Sequence, residues 1–239
     1  MLSLDEIYCG DCITLMKKID NKSIDMVLCD LPYGVTSRNK WDVIIPFSAL
    51  WEHYERIIKD DGAIVLTAIQ PFSSMLVMSN IKLFKYEWVW EKQQGTGFLN
   101  AKRQPLRNHE SVLVFYKTQP IYNPQFTSGK PYVCKSGSGS TNYREQVSVI
   151  TENKGVRYPL TVQKFAYDGK KEHPTQKPLA LFEYLISTYT NHNDLVLDNC
   201  VGSGTTALAC KKLNRRFIGM DVNKMYVDIT NRKLGEVVG

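Results

Sequence analysis

Asp30-Leu31-Pro32-Tyr33 stands directly after the apolar run Ile24-Asp25-Met26-Val27-Leu28-Cys29. A carboxylate, a stiff turn and an aromatic ring at the end of a buried strand suit the capture of a flat amine. The ring can stack on a base, while the carboxylate and the turn carbonyls accept hydrogen bonds from an exocyclic amino group. The same residues also read as a strand that merely ends at a proline turn. The choice between the two rests on whether a donor site exists elsewhere in the chain.

Such a site is written near the other end. Leu195-Val196-Leu197-Asp198 reads as a short strand, and Asn199-Cys200-Val201-Gly202-Ser203-Gly204-Thr205-Thr206-Ala207 as a glycine-bearing turn into a helix. Glycine lets the backbone turn tightly and approach a ligand closely. Phe217-Ile218-Gly219-Met220 is the next strand, and Asp221 at its end is placed to accept both hydroxyls of a ribose. Gly202, Gly204 and Ala207 also satisfy G-x-G-x-x-G/A, so a nicotinamide-binding domain competes. The two mononucleotide halves that such a site needs do not fit between the loop and Gly239. A phosphate-cradling loop is weaker, because no Gly-Lys-Ser/Thr follows.

The elements that must position these residues alternate as in a parallel sheet. Glu6–Cys9 reads as a strand, Thr14–Ile19 as a helix and Ile24–Cys29 as a strand. Phe47, Leu50, Trp51, Tyr54, Ile57 and Ile58 recur at helical spacing, with Asp61-Gly62 as the stop. Ala63–Thr67 is a strand, and Pro71 opens a helix running to about Ile81. Phe84–Glu91 and Ser111–Lys117 are two further strands. Five strands therefore precede a long irregular stretch, and two follow it.

Together these features resemble the amino-methylating DNA methyltransferases in their circularly permuted, beta-class arrangement. The resemblance is carried by Asp30-Leu31-Pro32-Tyr33, then His173-Pro174-Thr175-Gln176-Lys177-Pro178, then Asp198 through Thr206, in that order. Arg103-Gln104-Pro105, His109-Glu110 and Ser111-Val112-Leu113-Val114-Phe115 share it. It implies an α/β fold, a seven-stranded and mostly parallel Rossmann-like sheet ending in an antiparallel hairpin. Residues 1–117 would form the catalytic half and 173–239 the donor-binding half of one domain. Residues 118–172 would be an inserted, partly flexible target-recognition region. The first strand would lie beside the strand ending at Asp221.

The resemblance implies S-adenosylmethionine as methyl donor and double-stranded DNA as substrate, and it admits a homodimer. In the family pattern the target amine donates to the first tetrapeptide side chain and the second residue's carbonyl, here Asp30 and Leu31. Pro32 would fix the turn and Tyr33 would stack on a flipped-out base. The family usually has proline where Leu31 stands, which leaves the carbonyl in place and loosens the turn. Asp198, Asn199, Gly202, Ser203, Gly204 and Thr205 would hold the methionine part of the donor. Asp221 would hold the ribose, Asp11 the adenine amine and Lys177 the carboxylate, with Asp30 at the reacting end. His173 reads as a turn residue rather than a base.

Residues 118–172 hold eight Lys/Arg, four Asp/Glu and seven Tyr or Phe. Cations interleaved with aromatic rings suit phosphate contacts combined with stacking; a solvated surface excursion is the plain alternative. Lys130, Lys135 and Arg144 there, with Lys102, Arg103 and Arg107 earlier, are the candidate DNA contacts. Asp30 favours adenine N6 as the target, since Ser at that position is the commoner mark of cytosine N4. No cysteine follows a proline, which excludes the nucleophile used in cytosine C5 methylation. A methyltransferase-derived binding module without catalysis is a reading of a different class.

The composition agrees with a soluble globular protein: 239 residues, 43% hydrophobic and 23% charged, with a net charge of +6 compatible with a polyanion partner. The first residues lack the regions of a signal peptide, and no apolar run is long enough to span a bilayer, so a cytoplasmic location is expected. Cys9-Gly10-Asp11-Cys12 matches C-x-x-C but has no second pair, and His53, His109, His173 and His192 are scattered. No metal is expected, and the six cysteines are read as buried or half-buried thiols.

Overall fold

In the computed structural model, residues 2–35, 42–135, 149–167 and 176–236 are described. The eight-stranded sheet is built from β1 (Glu6–Cys9), β2 (Ile24–Cys29), β3 (Ile58–Ala68), β4 (Phe84–Thr96), β5 (Arg107–Phe115), β10 (Val162–Phe165), β11 (Leu195–Asp198) and β12 (Arg216–Asp221). Its order is β1-β12-β11-β2-β3-β5-β4-β10, with only β5 running against its neighbours. The remaining short strands are β6 (Thr127–Ser128), β7 (Tyr132–Lys135), β8 (Ile150–Asn153) and β9 (Val156–Arg157). The helices are α1 (Cys12–Met16), α2 (Phe47–Ile57), α3 (Phe72–Ser79), α4 (Leu179–Tyr189), α5 (Thr205–Lys212) and α6 (Lys224–Glu236).

The central strands are apolar on both faces because helices cover both. Val27, Cys29, Ile64, Leu66, Leu113 and Phe115 pack toward α1, α2 and α3. Their neighbours Met26, Leu28, Ala63, Val65, Val112 and Val114 pack toward α4, α5 and α6. This period of two, apolar at every position, is what a sheet buried on both sides requires.

The permuted order appears as expected. β1 pairs in parallel with β12 in a register that sets Cys9 opposite Asp221. Two expectations change. The sheet has eight strands rather than seven, because β10 joins the edge in parallel with β4. Asp61-Gly62 does not stop a helix; α2 ends at Ile57 and the chain is already extended at Ile58. A Cβ at Gly62 would lie 2.8 Å from the Asp25 carbonyl, so glycine is needed there for close approach of β3 to β2.

Residues 124–160 form a compact unit of their own, and residues 1–123 with 161–239 form the other. The smaller unit contains the hairpin-like pairs β6–β9 and β7–β8, the edge-on rings of Phe126 and Tyr158, and Arg157 stacked over Tyr132. It is shorter than the expected insertion, since residues 161–167 supply β10 and its flanks to the sheet. Among the described residues no helix is long and apolar enough to cross a membrane.

Candidate active site

β11 and β2 are adjacent and parallel, but their chains leave in opposite directions, one toward β12 and the other toward β3. A crevice opens at such a switch, outside the carboxyl ends of the strands. Here it is a cavity of about 330 Å3, lined by the residues following β1, β2, β11 and β12. That volume is at the lower end of small-ligand pockets, roughly 300–1,000 Å3.

Asp221 forms one wall. Its Oδ2 accepts the Gly202 N–H at 2.9 Å and its Oδ1 the Asn223 N–H at 2.8 Å. The carboxylate is thereby fixed between the glycine turn and the start of α6, with a lone pair left on each oxygen. Burial raises its pKa, and the two backbone donors oppose the rise. Asp11, on the neighbouring strand's extension, caps α1 through the Thr14 N–H at 2.8 Å and also faces the cavity.

The glycine turn is held from below. Asp198 is buried; its Oδ1 accepts the Cys200 N–H at 3.0 Å and its Oδ2 the Thr206 hydroxyl at 2.5 Å. Burial pushes its pKa up to about 6 despite these bonds. Asn199 accepts the Tyr54 hydroxyl at 2.5 Å. Gly202 has φ +51° and Gly204 φ +89°, both in the left-handed region. A Cβ on Gly204 would sit 2.6 Å from Thr230 Cγ2, so this glycine serves the packing of α5 on α6. Gly204 is absent from the cavity lining, whereas Asn199, Gly202, Ser203 and Thr205 face it. No side chain caps α5, which leaves the N–H groups of its first turn directed at the cavity end of the loop.

Asp30 also lines the cavity. Its Oδ1 accepts the Tyr33 and Thr67 hydroxyls, each at 2.5 Å, and its Oδ2 meets Lys177 Nζ at 2.6 Å. Lys177 is also 3.4 Å from Glu110 Oε2, and Glu110 pairs through its other oxygen with Lys92 at 2.6 Å. Lys177, Glu110 and Lys92 are all nearly inaccessible to solvent. Burial acts to lower the Lys177 pKa, but the Asp30 and Glu110 carboxylates outweigh it and the net shift is upward. The ammonium thus stays charged. It also lies 5.4 Å from the centre of the Tyr33 ring, which packs on Phe72 at 5.2 Å. Burial, then the Asp30 charge, raises the Tyr33 pKa well above that of a free phenol. Leu31 is buried and anchors the turn, and Gly34 N–H donates to Asp42 Oδ1 at 2.8 Å.

A strand-end carboxylate and a glycine turn before a helix, brought into one crevice by a permuted sheet, can be compared with known proteins. The profile of the N6/N4 DNA methylase family matches residues 24–232. The chain belongs to this DNA methylase family. The methylase is 29% identical to the type II methyltransferase M.HpaI of Haemophilus parainfluenzae over 95% of its own length and 73% of the relative's. It is 27% identical to the DNA adenine methyltransferase YhdJ of Escherichia coli K12, over 94% of its length and 81% of that protein. Its fold matches the crystal structure of the M1.HpyAVI–SAM complex with a TM-score of 0.65, at 26% identity, covering 95% and 98% of the two chains.

Of the residues expected to bind the donor, the structure of the methylase brings Asp11, Asp30, Asn199, Gly202, Ser203, Thr205 and Asp221 to one cavity. Lys177 and Asp198 line it as well; Lys177 pairs with Asp30 and Glu110, and each Asp198 oxygen accepts one bond from within the loop. Gly204 is not among the lining residues and packs against Thr230. Lys102 and Arg103 are exposed on the β4–β5 connection and Arg107 at the start of β5, and Lys130 and Lys135 are exposed in the smaller unit. Arg144, His173, Pro174 and Thr175 lie outside the described residues. All six cysteines are free, and Cys9 and Cys134 are exposed rather than buried. Among the described residues no group of three or more His, Cys, Asp or Glu is placed to hold a metal ion.

Residues that the sequence reading did not assign also belong to the site: Thr67 donates to Asp30, Glu110 and Lys92 connect to it through Lys177, and Gln176 and Asp42 line the cavity. The available signal was a charge adjoining an apolar strand, as Glu110 adjoins Ser111–Phe115 and Lys92 follows Trp88-Val89-Trp90. A buried charge needs a partner.

Proposed function

We propose that this methylase transfers the methyl group of S-adenosylmethionine to the exocyclic N6 of an adenine in double-stranded DNA. The reading rests on one observation above others: Asp30, Asp221 and the glycine turn line the same small cavity. The donor fits the residues present. Asp221 keeps lone pairs for ribose hydroxyls, Asp11 faces the adenine position, and the uncapped first turn of α5 suits a carboxylate in place of Lys177. When bound, S-adenosylmethionine supplies an activated methyl group, so neither a metal nor an enzyme nucleophile is required.

The chain's own task is to hold the amine. Asp30 accepts one amino hydrogen and the Leu31 carbonyl the other, which turns the nitrogen lone pair toward the donor. Asp30 already accepts three donors and has room for about four. The phenol of Tyr33 is the donor best able to leave, because its ring then stacks on the entering base. Lys177, held by Glu110, keeps the carboxylate aimed. Residues 124–160, with the cations of the β4–β5 connection, read the target sequence. Adenine is favoured by Asp30 itself and by the similarity to an enzyme named as an adenine methyltransferase.

The test is incubation with labelled donor and DNA, followed by identification of the modified nucleoside. Labelled N6-methyladenosine supports the reading. Labelled N4-methylcytosine moves the target, and the absence of any labelled nucleoside favours a non-catalytic DNA-binding module.

A further inference from the structure

The β4–β5 hairpin carries a feature that methyl transfer as described does not use. β5 runs antiparallel to β3 with Ser111 opposite Ala68, so the connection between β4 and β5 leaves the same sheet edge as Asp30. Its stem is anchored at the site: Lys92 and Glu110 pair at 2.6 Å, and Glu110 is 3.4 Å from the lysine that holds Asp30. Beyond that buried pair every residue from 93 to 109 is exposed. Leu106 is four residues past Glu110, about 13 Å of extended chain.

The tip is built rather than loose. Thr96 pairs with Arg107 and its hydroxyl donates to the Arg107 carbonyl at 3.1 Å. Gly95 would meet Leu106 Cβ at 2.7 Å if it carried a Cβ, so the two sides of the stem are in close contact. Gly97, at φ +88°, starts a turn secured by Asn100 N–H to the Gly97 carbonyl at 2.9 Å and Arg103 N–H to the Asn100 carbonyl at 2.8 Å. At its summit Phe98 is 75% exposed and Leu99 86% exposed, two large apolar side chains held in water by an ordered turn. Residues 93–109 include Lys102, Arg103 and Arg107 and no carboxylate.

We propose that Phe98 and Leu99 form a wedge that enters the base stack where the target base leaves the duplex. The proposal rests on the reading of the protein as a DNA methylase that flips its base. An apolar summit inside a purely cationic tip fits a partner that is anionic outside and apolar within, which describes a nucleic acid duplex. A second copy of this chain is a poor occupant, since it would meet the tip with its own net charge of +6. The hole left by a flipped base exposes stacked faces of the neighbouring pairs, and the wedge covers them while the cations hold the flanking phosphates.

The experiment uses the full chain and a duplex containing the position that the nucleoside assay identifies as methylated. Rates of Phe98→Ala/Leu99→Ala are compared with wild type on that duplex and on one whose target base faces an abasic site. The loss of a stacking contact predicts roughly a 10- to 100-fold fall in kcat/KM on the paired duplex. On the abasic-opposed duplex, where no pair must be broken, the fall shrinks to a few-fold, and Phe98→Trp retains most activity on both. An equal fall on both duplexes, or none on either, overturns the wedge. So does an altered sedimentation behaviour with methylation intact, which makes the tip a protein contact. A wild type that labels no DNA removes the underlying reading before any substitution is made.

Discussion

Replacing Lys177 by methionine removes the cation that lies between two carboxylates. Its Nζ is 2.6 Å from Asp30 Oδ2 and 3.4 Å from Glu110 Oε2, and its side chain is 4% exposed. Deleting one partner of a buried pair costs about 3–5 kcal/mol when the other charge is abandoned. Here neither carboxylate is abandoned. Glu110 keeps Lys92 at 2.6 Å, while Asp30 keeps the hydroxyls of Tyr33 and Thr67 and is 21% exposed to water. A loss of about 2–3 kcal/mol follows, which lowers Tm by roughly 4–12 °C in a chain of this size.

The effect on catalysis separates two roles for the lysine. Without the ammonium the Asp30 carboxylate loses the contact that aims it, so kcat falls while KM for the donor changes little. Lys177→Arg restores the charge and recovers part of the rate. The assay is the initial rate of methyl transfer from labelled donor, taken over a series of donor concentrations at saturating DNA. If Lys177→Met instead raises only KM for the donor and leaves kcat in place, the lysine binds the donor carboxylate, and the positioning argument is refuted.

Three further outcomes are expected. Asp30→Ala abolishes transfer yet retains donor binding by calorimetry, because the donor wall is built from other strands; appreciable turnover in that variant removes Asp30 from the amine contact. Neutralising Lys102 and Arg103 to Gln weakens DNA binding and reduces the salt slope of log K by about 2, since each phosphate contact contributes about 0.9; an unchanged slope takes both off the DNA face. Asp198, raised by burial from 3.8 to about 6, contributes its stability at low pH and loses it as pH rises through the folded value. Between about pH 4 and 6 this amounts to about 3 kcal/mol, so the Tm of Asp198→Asn climbs relative to wild type over that interval, and parallel curves would contradict the assigned burial cost.

The fold was legible in the sequence where an element carries its own signature. Strands apolar at every position announce a sheet covered on both faces, and the order of tetrapeptide and glycine turn announces the permutation. The eighth strand had no such mark. β10 is a four-residue edge strand within a basic stretch, and it is placed by the Val89 N–H to Thr161 carbonyl bond at 2.8 Å and by Trp90 Nε1 donating to the Phe165 carbonyl at 3.0 Å. Those partners lie more than 70 residues away, beyond the reach of local periodicity. Asp61-Gly62 misled for the opposite reason. The dipeptide has the chemistry of a helix stop, but the glycine there answers to the Asp25 carbonyl on the next strand.

The site shows the same division between local chemistry and tertiary partnership. Asp221 and Gly202 were readable as cavity-facing because a strand end and a tight turn fix where each group points. Asp198 lies in the same motif and spends its charge holding that motif's shape, through Thr206 and the Cys200 N–H. Lys177 sits between Gln176 and Pro178 with nothing nearby in sequence to claim it. The sheet brings Asp30 from 147 residues away and Glu110 from the antiparallel hairpin. A lysine that is buried and still charged requires carboxylates within ion-pair distance. Burial of Lys177 therefore called for an acidic partner on a neighbouring element, and Glu110, a charge adjoining an apolar strand, was the unclaimed acid. The same pairing ties the stem of the Phe98–Leu99 hairpin to the Asp30 carboxylate. Loss of Glu110 should accordingly lower kcat more on the paired than on the abasic-opposed duplex, whereas loss of Lys177 should lower it alike on both.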